Sequence, residues 1–282
     1  MYYPTGSESG FHFLQNFQVC ARLWYYQNVL GLVPKYPGVK LLYGIALHKG
    51  LEVWYNNVGV PTMDRKQLML DAFHEELQKM RHLFSSSTAL EEVTSTGLTI
   101  LRLYADRYSF EMFEVVGTEI SLEHVFASGV KLTGRLDLVV KKPTGIEIMD
   151  HKSTGWSISQ LSRSLSVSDQ VNCYLFLWNQ NHPDQPTYNV TFNILRQNKS
   201  VINLERVPFT KTPQDVEEFA DGAEYLLNRL RKKATTGDTV WPKNTDSCFR
   251  YNHECEFFDV CKGANYAALL DVKYYRKDQL ND

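Results

Sequence analysis

The chain has 282 residues and a mass of 32.6 kDa, with 43% hydrophobic and 22% charged residues, so it has ample material for a packed core. Thirty basic against 32 acidic residues leave a formal net charge of −2, which excludes nucleic-acid binding by bulk charge; such binding needs a local basic or metal-filled groove. The opening MYYPTGSESGFHF lacks the basic start and apolar run of a secretory signal, and the apolar stretch at 171–178 is too short to cross a bilayer, so no membrane association and a cytoplasmic location (host cytoplasm if the chain is viral) are expected.

Apolar residues at three- and four-residue spacings predict a helix over 11–29, and a Gly/Pro loop follows at 31–38. Further helices are expected over 39–56, which carries Gly44 and His48, and over 64–84. Thr88 with Glu91 forms a capping-box pattern that opens another helix, to about Glu111. The period then changes to two. Strands are expected at 113–125, 130–140 and 146–152, the last two joined by the turn KKPTG. A Ser-rich segment, 153–168, leads into a helix over about 167–180. A second hairpin, 187–195 with 200–207, turns at QNKS, and Thr212-Pro213 starts a helix that runs to about Lys233. The remainder, 234–282, reads as loop-rich. With no internal repeat or low-complexity linker, one domain over 1–282 is the simplest organisation. It has a mainly helical part at 1–112, a sheet core at 113–210, and a helix with a cysteine-rich end at 211–282.

The chemistry concentrates in GRLDLVV (134–140) and EIMDHKS (147–153). Side chains two apart on a strand share a face, so Asp150 and Lys152 point the same way, behind Ile146 and Ile148. Asp137 on the partner strand can come opposite. Two carboxylates at a sheet end make an oxygen-rich site for a hard divalent cation, and a nearby lysine can orient a water or stabilise charge building on a phosphate. The plainer alternative is a solvated hairpin with an ordinary Asp–Lys pair. Glu119 or Glu123, on the preceding strand, can add a third carboxylate, and spacing does not choose between them.

This arrangement resembles the RecB-like branch of the PD-(D/E)XK nucleases. The resemblance implies an α/β fold with a restriction-endonuclease-like core, in which a mixed sheet is flanked by helices. It also implies catalytic roles for Asp137, Asp150 and Lys152, with Mg²⁺ or Mn²⁺ as cofactor. The family's early Gly-x-x-x-His matches Gly44 and His48, implying that His48 is a metal ligand beside Asp137 and Asp150, and its strand glutamate corresponds best to Glu119. Its Gln-x-x-x-Tyr matches Gln170 and Tyr174, one turn apart on a helix, which implies that both belong to the catalytic site and contact DNA or the surroundings of Lys152; core and surface packing are the plainer reading.

Cys248, Cys255 and Cys261 cluster near the end of the chain, and Cys20 stands alone near the start. Four soft thiolates suit an iron–sulfur cluster or zinc. The Cys-x-Arg-x-x-Tyr-Tyr context of Cys20 and the one-plus-three arrangement are similar to the nuclease domain of AddB and to CRISPR-associated iron–sulfur exonucleases. That likeness implies a 4Fe–4S cluster, with zinc as the alternative. Such a clasp closes a loop of over two hundred residues, an unfolded-state restriction of order a few kcal/mol. Cys173, in an apolar helical stretch, reads as core.

The likeness further implies an exonuclease on single-stranded DNA ends in recombination, repair or replication. A helicase, recombinase or single-strand-binding protein would be a natural partner, since no P-loop motif gives this chain a motor of its own. The alternatives are a structure-selective endonuclease of the same fold, and a non-catalytic DNA-binding subunit with a structural metal clasp. Arg229, Arg231, Lys232 and Lys233, or Lys273, Arg276 and Lys277, could track phosphates, and Tyr25, Tyr26, Trp156 and Trp241 could stack on bases; solvated faces and core packing are the plainer readings. Digestion polarity and oligomeric state stay open.

Overall fold

A computed structural model describes residues 9–198, 201–250, 253–263 and 266–280. The single helix expected over 11–29 is instead interrupted. Helix α1 (Phe11–Val19) stops at Cys20, α2 (Ala21–Trp24) restarts the chain, and one wide turn (Tyr25–Val29) follows. The break lies at Cys20 itself, whose extended backbone caps α2 while its sulfur accepts a hydrogen bond from the Asn244 N–H at 3.4 Å. After the short strand β1 (Leu32–Pro34) come α3 (Val39–Asn56), α4 (Thr62–Lys79) and α5 (Ser87–Arg107). Ser86, rather than Thr88, caps α5: its hydroxyl accepts the Ala89 N–H at 3.1 Å.

Three long strands follow: β2 (Glu114–Val125), β3 (Lys131–Lys142) and β4 (Gly145–Thr154). The Ser-rich connector holds a helix that periodicity did not reveal, α6 (Ile158–Ser166), opened by a capping box of Ser157 and Gln160. Next come α7 (Asp169–Asn181), β5 (Asn189–Gln197) and β6 (Ile202–Thr210), and the QNKS turn expected between the two strands extends outside the described residues. Helix α8 (Pro213–Thr236) begins at a Thr212–Asp215 capping box and ends at left-handed Gly237. The C-terminal part holds α9 (Phe258–Lys262), α10 (Tyr266–Lys273) and β7 (Tyr274–Arg276), more regular structure than its composition announced.

Among the described residues the strands form a sheet in the order β2-β3-β4-β5-β6, antiparallel except for the parallel pair β4–β5, and β1 pairs antiparallel with β7. On one face Leu136, Ile148 and Phe192 meet apolar residues of α7 and α8, such as Leu175 and Leu227. On the other, Leu138, Val140 and Met149 meet α3, α4 and α5 through Leu47, Trp54, Phe73 and Leu101. A sheet covered on both faces explains the near-continuous apolar runs of β3 and β4. No described helix is long and apolar enough to cross a membrane.

One feature of the register creates a site. β3 pairs with β4 only from Lys142–Gly145 to Leu138–Met149. Beyond that point β3 stays with β2 as far as Lys131, while β4 stays with β5 as far as Thr154. The two strands part at Asp137 and Asp150, leaving a crevice in the sheet with a carboxylate on each lip. Gly134, further along β3, lets α7 lie close to this crevice; a Cβ there would come 2.5 Å from Leu177 Cδ1.

Candidate active site

Asp137, Asp150, Lys152, His48, Gln170 and Tyr174 all line one cavity of about 470 Å³ at the split, with His12, Phe13 and Asn16 of α1 along another wall. His48 arrives from α3, its Nδ1 standing 3.4 Å from Asp137 Oδ1. The second oxygen of Asp137 accepts the His151 N–H at 2.8 Å, which ties β3 to β4 just where ladder pairing stops. Lys152 Nζ lies 2.5 Å from Asp150 Oδ2 and donates to Gln170 Oε1 at 2.9 Å. Gln170 Nε2 donates in turn to the Tyr174 hydroxyl at 2.8 Å, one helical turn along α7. Lysine, glutamine and tyrosine thus form one chain of contacts.

β2 contributes Glu119. Its φ of +49° is left-handed backbone in mid-strand, a conformation that costs a side-chain-bearing residue about 1–2 kcal/mol. With the bulge between Val115 and Gly117, this departure turns the Glu119 carboxylate to the Asp137 lip. His48, Glu119 and Asp137 each place a ligand-type atom within 4.8 Å of the other two. Arg135 Nε holds the Glu119 carboxylate at 2.7 Å. Glu123, the rival, is exposed and paired with Lys131 at 3.2 Å, away from this group.

The electrostatics of the cluster are unbalanced. Burial would pull His48 down, but the Asp137 carboxylate beside it outweighs burial and lifts it to about 9. Burial pushes Asp137 upward too, yet His48, His151 and Lys152 hold it well below the usual carboxylate range. Asp150 is raised to about 6 by burial, with Lys152 opposing and the Asp137 charge adding. Glu119 is raised to about 7 by burial and by Asp137, against Arg135. Asp150 is 99% buried, and neither of its oxygens receives a well-directed hydrogen bond although Lys152 is in ionic contact. Under-satisfied buried carboxylate oxygens, two further acids and an imidazole are the donor set of an oxygen-rich divalent-cation site. The residues present fit such an ion.

A family profile described as the PD-(D/E)XK nuclease superfamily matches residues 12–262. The chain belongs to the PD-(D/E)XK nuclease superfamily. Membership implies a metal-dependent nuclease acting on DNA, and the five-stranded mixed sheet between helices is its restriction-endonuclease-like core. In overall fold the chain is similar to a crystal structure, from Eubacterium rectale, provisionally described as an exonuclease, with a TM-score of 0.53 and 12% identity over 87% of this chain and 88% of that one. A second solved structure, of SSO0001, is 13% identical over 67% of this chain and 86% of that one, with a TM-score of 0.30. No curated protein matches.

Other residues singled out by sequence lie elsewhere. Tyr25 and Trp24 stack on Trp241 at 5.3 Å, and Tyr26 is buried against Phe257, so these rings are packing and not free platforms; Trp156 is partly exposed. Arg231 donates to the Ser128 carbonyl and Lys233 pairs with Asp238, so these two are engaged within the fold, while Arg229 and Lys232 are exposed. Cys173 is core, its thiol pushed up to about 12 by burial. Cys20, Cys248, Cys255 and Cys261 are half-buried. The Cys255 N–H donates to the Cys248 carbonyl at 2.7 Å, and Cys255 and Cys261 pack against Tyr26, Phe257 and Tyr274. Burial raises the Cys255 thiol to about 11, and Cys20 and Cys248 push it the same way. Among the described residues no three of these sulfurs lie within 4.8 Å of one another.

Sequence reasoning passed over His151 and Arg135, both inside quoted motifs. His151 sits between Asp150 and Lys152, so strand alternation sends its ring to the opposite face, where a pattern search for acids and lysine does not look.

Proposed function

We propose that this nuclease is an exonuclease that hydrolyses single-stranded DNA from its ends, using a divalent cation held by His48, Glu119, Asp137 and Asp150. The observation that carries the reading is the gathering of these side chains and Lys152 where β3 and β4 part. Mg²⁺ or Mn²⁺ bound there supplies Lewis-acid polarisation of a phosphate and lowers the pKa of a water. Asp137 and Asp150, one on each lip of the crevice, would hold that ion at the split in the sheet, and through it the reacting phosphodiester would be oriented. Lys152, fixed by Asp150 and Gln170, stabilises the charge that builds on the phosphate. Tyr174 keeps Gln170 in place, so the ammonium is pre-positioned. A cavity of about 470 Å³ walled by α1 favours one strand over a duplex.

In the same reading Cys20, Cys248, Cys255 and Cys261 hold a 4Fe–4S cluster that joins the two ends of the chain. Tetrahedral zinc, with Zn–S near 2.3 Å, needs sulfurs about 3.8 Å apart. Among the described residues no three of these sulfurs come within 4.8 Å of one another, which is too open for that tetrahedron.

End-labelled linear and circular single strands, each incubated with Mg²⁺ or Mn²⁺, test the activity. Linear strands should be degraded and circles spared; cut circles overturn the exonuclease reading, and no cleavage of either overturns the catalytic one. Anaerobic purification with iron, sulfide and zinc analysis tests the clasp. A brown protein with iron and sulfide is expected, and a colourless zinc protein refutes it.

A further inference from the structure

A phosphate must approach a cavity that holds Glu119, Asp137 and Asp150, on a protein whose net charge is already negative. Lys152 is occupied by Asp150 and Gln170. The other lysine and arginine side chains lining this cavity are Arg135 and Lys277. We propose that Arg135 and Lys277 grip backbone phosphates of the nucleic-acid strand that enters the cavity; this deepens the nuclease reading and rests on it.

Arg135 lies on β3 two residues before Asp137, with most of its side chain exposed. Only its Nε is engaged, on Glu119; among the described residues its terminal nitrogens have no acceptor, and a guanidinium fork matches a phosphate. Its contact with Glu119 competes with the cation for the same carboxylate, while the two terminal nitrogens are available to a phosphate with or without the ion. Lys277 comes from the opposite end of the chain. Its N–H donates to the Gly31 carbonyl at 2.8 Å, directly beyond the β1–β7 pairing of Leu32 with Arg276. Gly31 has φ of +61°, and a Cβ there would stand 3.7 Å from Lys277 Cβ, so the turn and the lysine are packed against each other. The backbone of Lys277 is therefore fixed, and the residue is brought to the cavity wall by the same C-terminal segment that carries the three clustered cysteines.

The test is fluorescence anisotropy of a short labelled single strand, titrated in EDTA at several salt concentrations, with Arg135→Ala, Arg135→Lys and Lys277→Ala. Each alanine should weaken binding several-fold and lower the salt slope by about one counterion, and Arg135→Lys should restore the slope. In cleavage, KM should rise more than kcat falls. Mn²⁺ affinity, titrated without DNA, should rise in Arg135→Ala, because Glu119 loses its competitor. An unchanged salt slope in both alanine variants overturns the grip, as does weaker Mn²⁺ binding in Arg135→Ala. A chain that binds with a substitution-sensitive slope but cuts nothing keeps the grip and sinks the nuclease reading. A chain that cuts normally, with slopes indifferent to both substitutions, does the reverse.

Discussion

Asp150 and His151 are neighbours in sequence that leave opposite faces of β4, and the His151 ring, 5.9 Å from that of His48, stands where two buried polar regions of contrasting character meet. On the His151 side most polar groups of the network find partners within the fold, and Asn193 Oδ1 and Arg206 Nε are its buried exceptions among the described residues. The His151 ring meets Asn193 at 2.9 Å, and Asn193 donates to the Tyr104 hydroxyl at 2.7 Å. Tyr104 and Tyr55 share a hydrogen bond, and Arg206 reaches both hydroxyls and both oxygens of Glu111. Burial holds His151 neutral, at about 3. On the Asp150 side the same strand presents carboxylate oxygens without proper donors and acids pushed well above their ordinary values. A chain able to build the first network could have built a second one. In the proposed function the side left open is the side that receives a cation and a substrate.

The sharpest way to break this comparison is to remove a charge from the open side. Asp150→Asn is expected to cut cleavage on the order of 10³-fold. It should nevertheless raise the melting temperature of the cation-free chain, because it replaces a buried carboxylate that lacks donors. Lys152→Ala should match the loss of activity but lower that melting temperature, since it leaves Asp150 unpaired. If both variants melt lower than the parent, the open side is a structural ion pair and not an unfilled site.

The closed side should respond in the opposite sense. Arg206→Leu leaves the mostly buried Glu111 carboxylate without its cation and should cost about 3 kcal/mol in urea unfolding, the lower end for breaking a buried pair. The fraction that stays folded should retain most of its cleavage. A variant of normal stability with lost activity would place this network in catalysis.

Acidity separates the two regions more gently. Asp150 and Glu119 have folded values of about 6 and 7, against ordinary values of 3.8 and 4.5. A raised folded value gives stability that is complete below the ordinary value and lost as pH climbs through the folded one. Without divalent cations the melting temperature should therefore fall between about pH 5 and pH 8. His48, raised to about 9, extends the loss to higher pH. Mn²⁺ should restore stability, more at high pH than at low. Calorimetry with and without Mn²⁺ checks this, and a cation effect that grows toward acid would contradict the assignment.

How far the sequence foretells this site follows from which rules are local. Asp150 and Lys152 share a face because strand alternation demands it, and Gln170 and Tyr174 meet because a helix brings positions four apart together. Asp137 comes opposite Asp150 because the KKPTG turn fixes the register. The rest depends on long-range pairing. The crevice exists because β4 leaves β3 for a parallel partner forty residues later, which no local pattern announces. Cys20 interrupts a helix whose apolar spacing runs on without pause, and its partner there is Asn244, over two hundred residues away. Lys277 reaches the cavity only through the β1–β7 ribbon, whose three-residue strands are too short to show a period.

Glu119 is the case where a local rule points nowhere, and it sets the smallest of these tests. Strict alternation cannot separate it from Glu123, because four residues along a strand return to the same face. The choice is made by one left-handed residue, Glu119 itself, which no propensity favours. If that backbone is held for the sake of the carboxylate, replacing the residue should release strain while removing the ligand. Glu119→Gly should leave the cation-free chain about 1 kcal/mol more stable, or at least no less so, since glycine takes this φ freely and a carboxylate raised to about 7 is gone. The same variant should bind Mn²⁺ more weakly and cleave far more slowly. Glu119→Ala, which loses the carboxylate but keeps the strained φ, should share the functional defect without the full gain in stability. Should Glu119→Gly unfold more readily than the parent at neutral pH without metal, the left-handed residue would be a requirement of β2 itself, and its place beside Asp137 and His48 would follow from the strand's bulge and not from the chemistry.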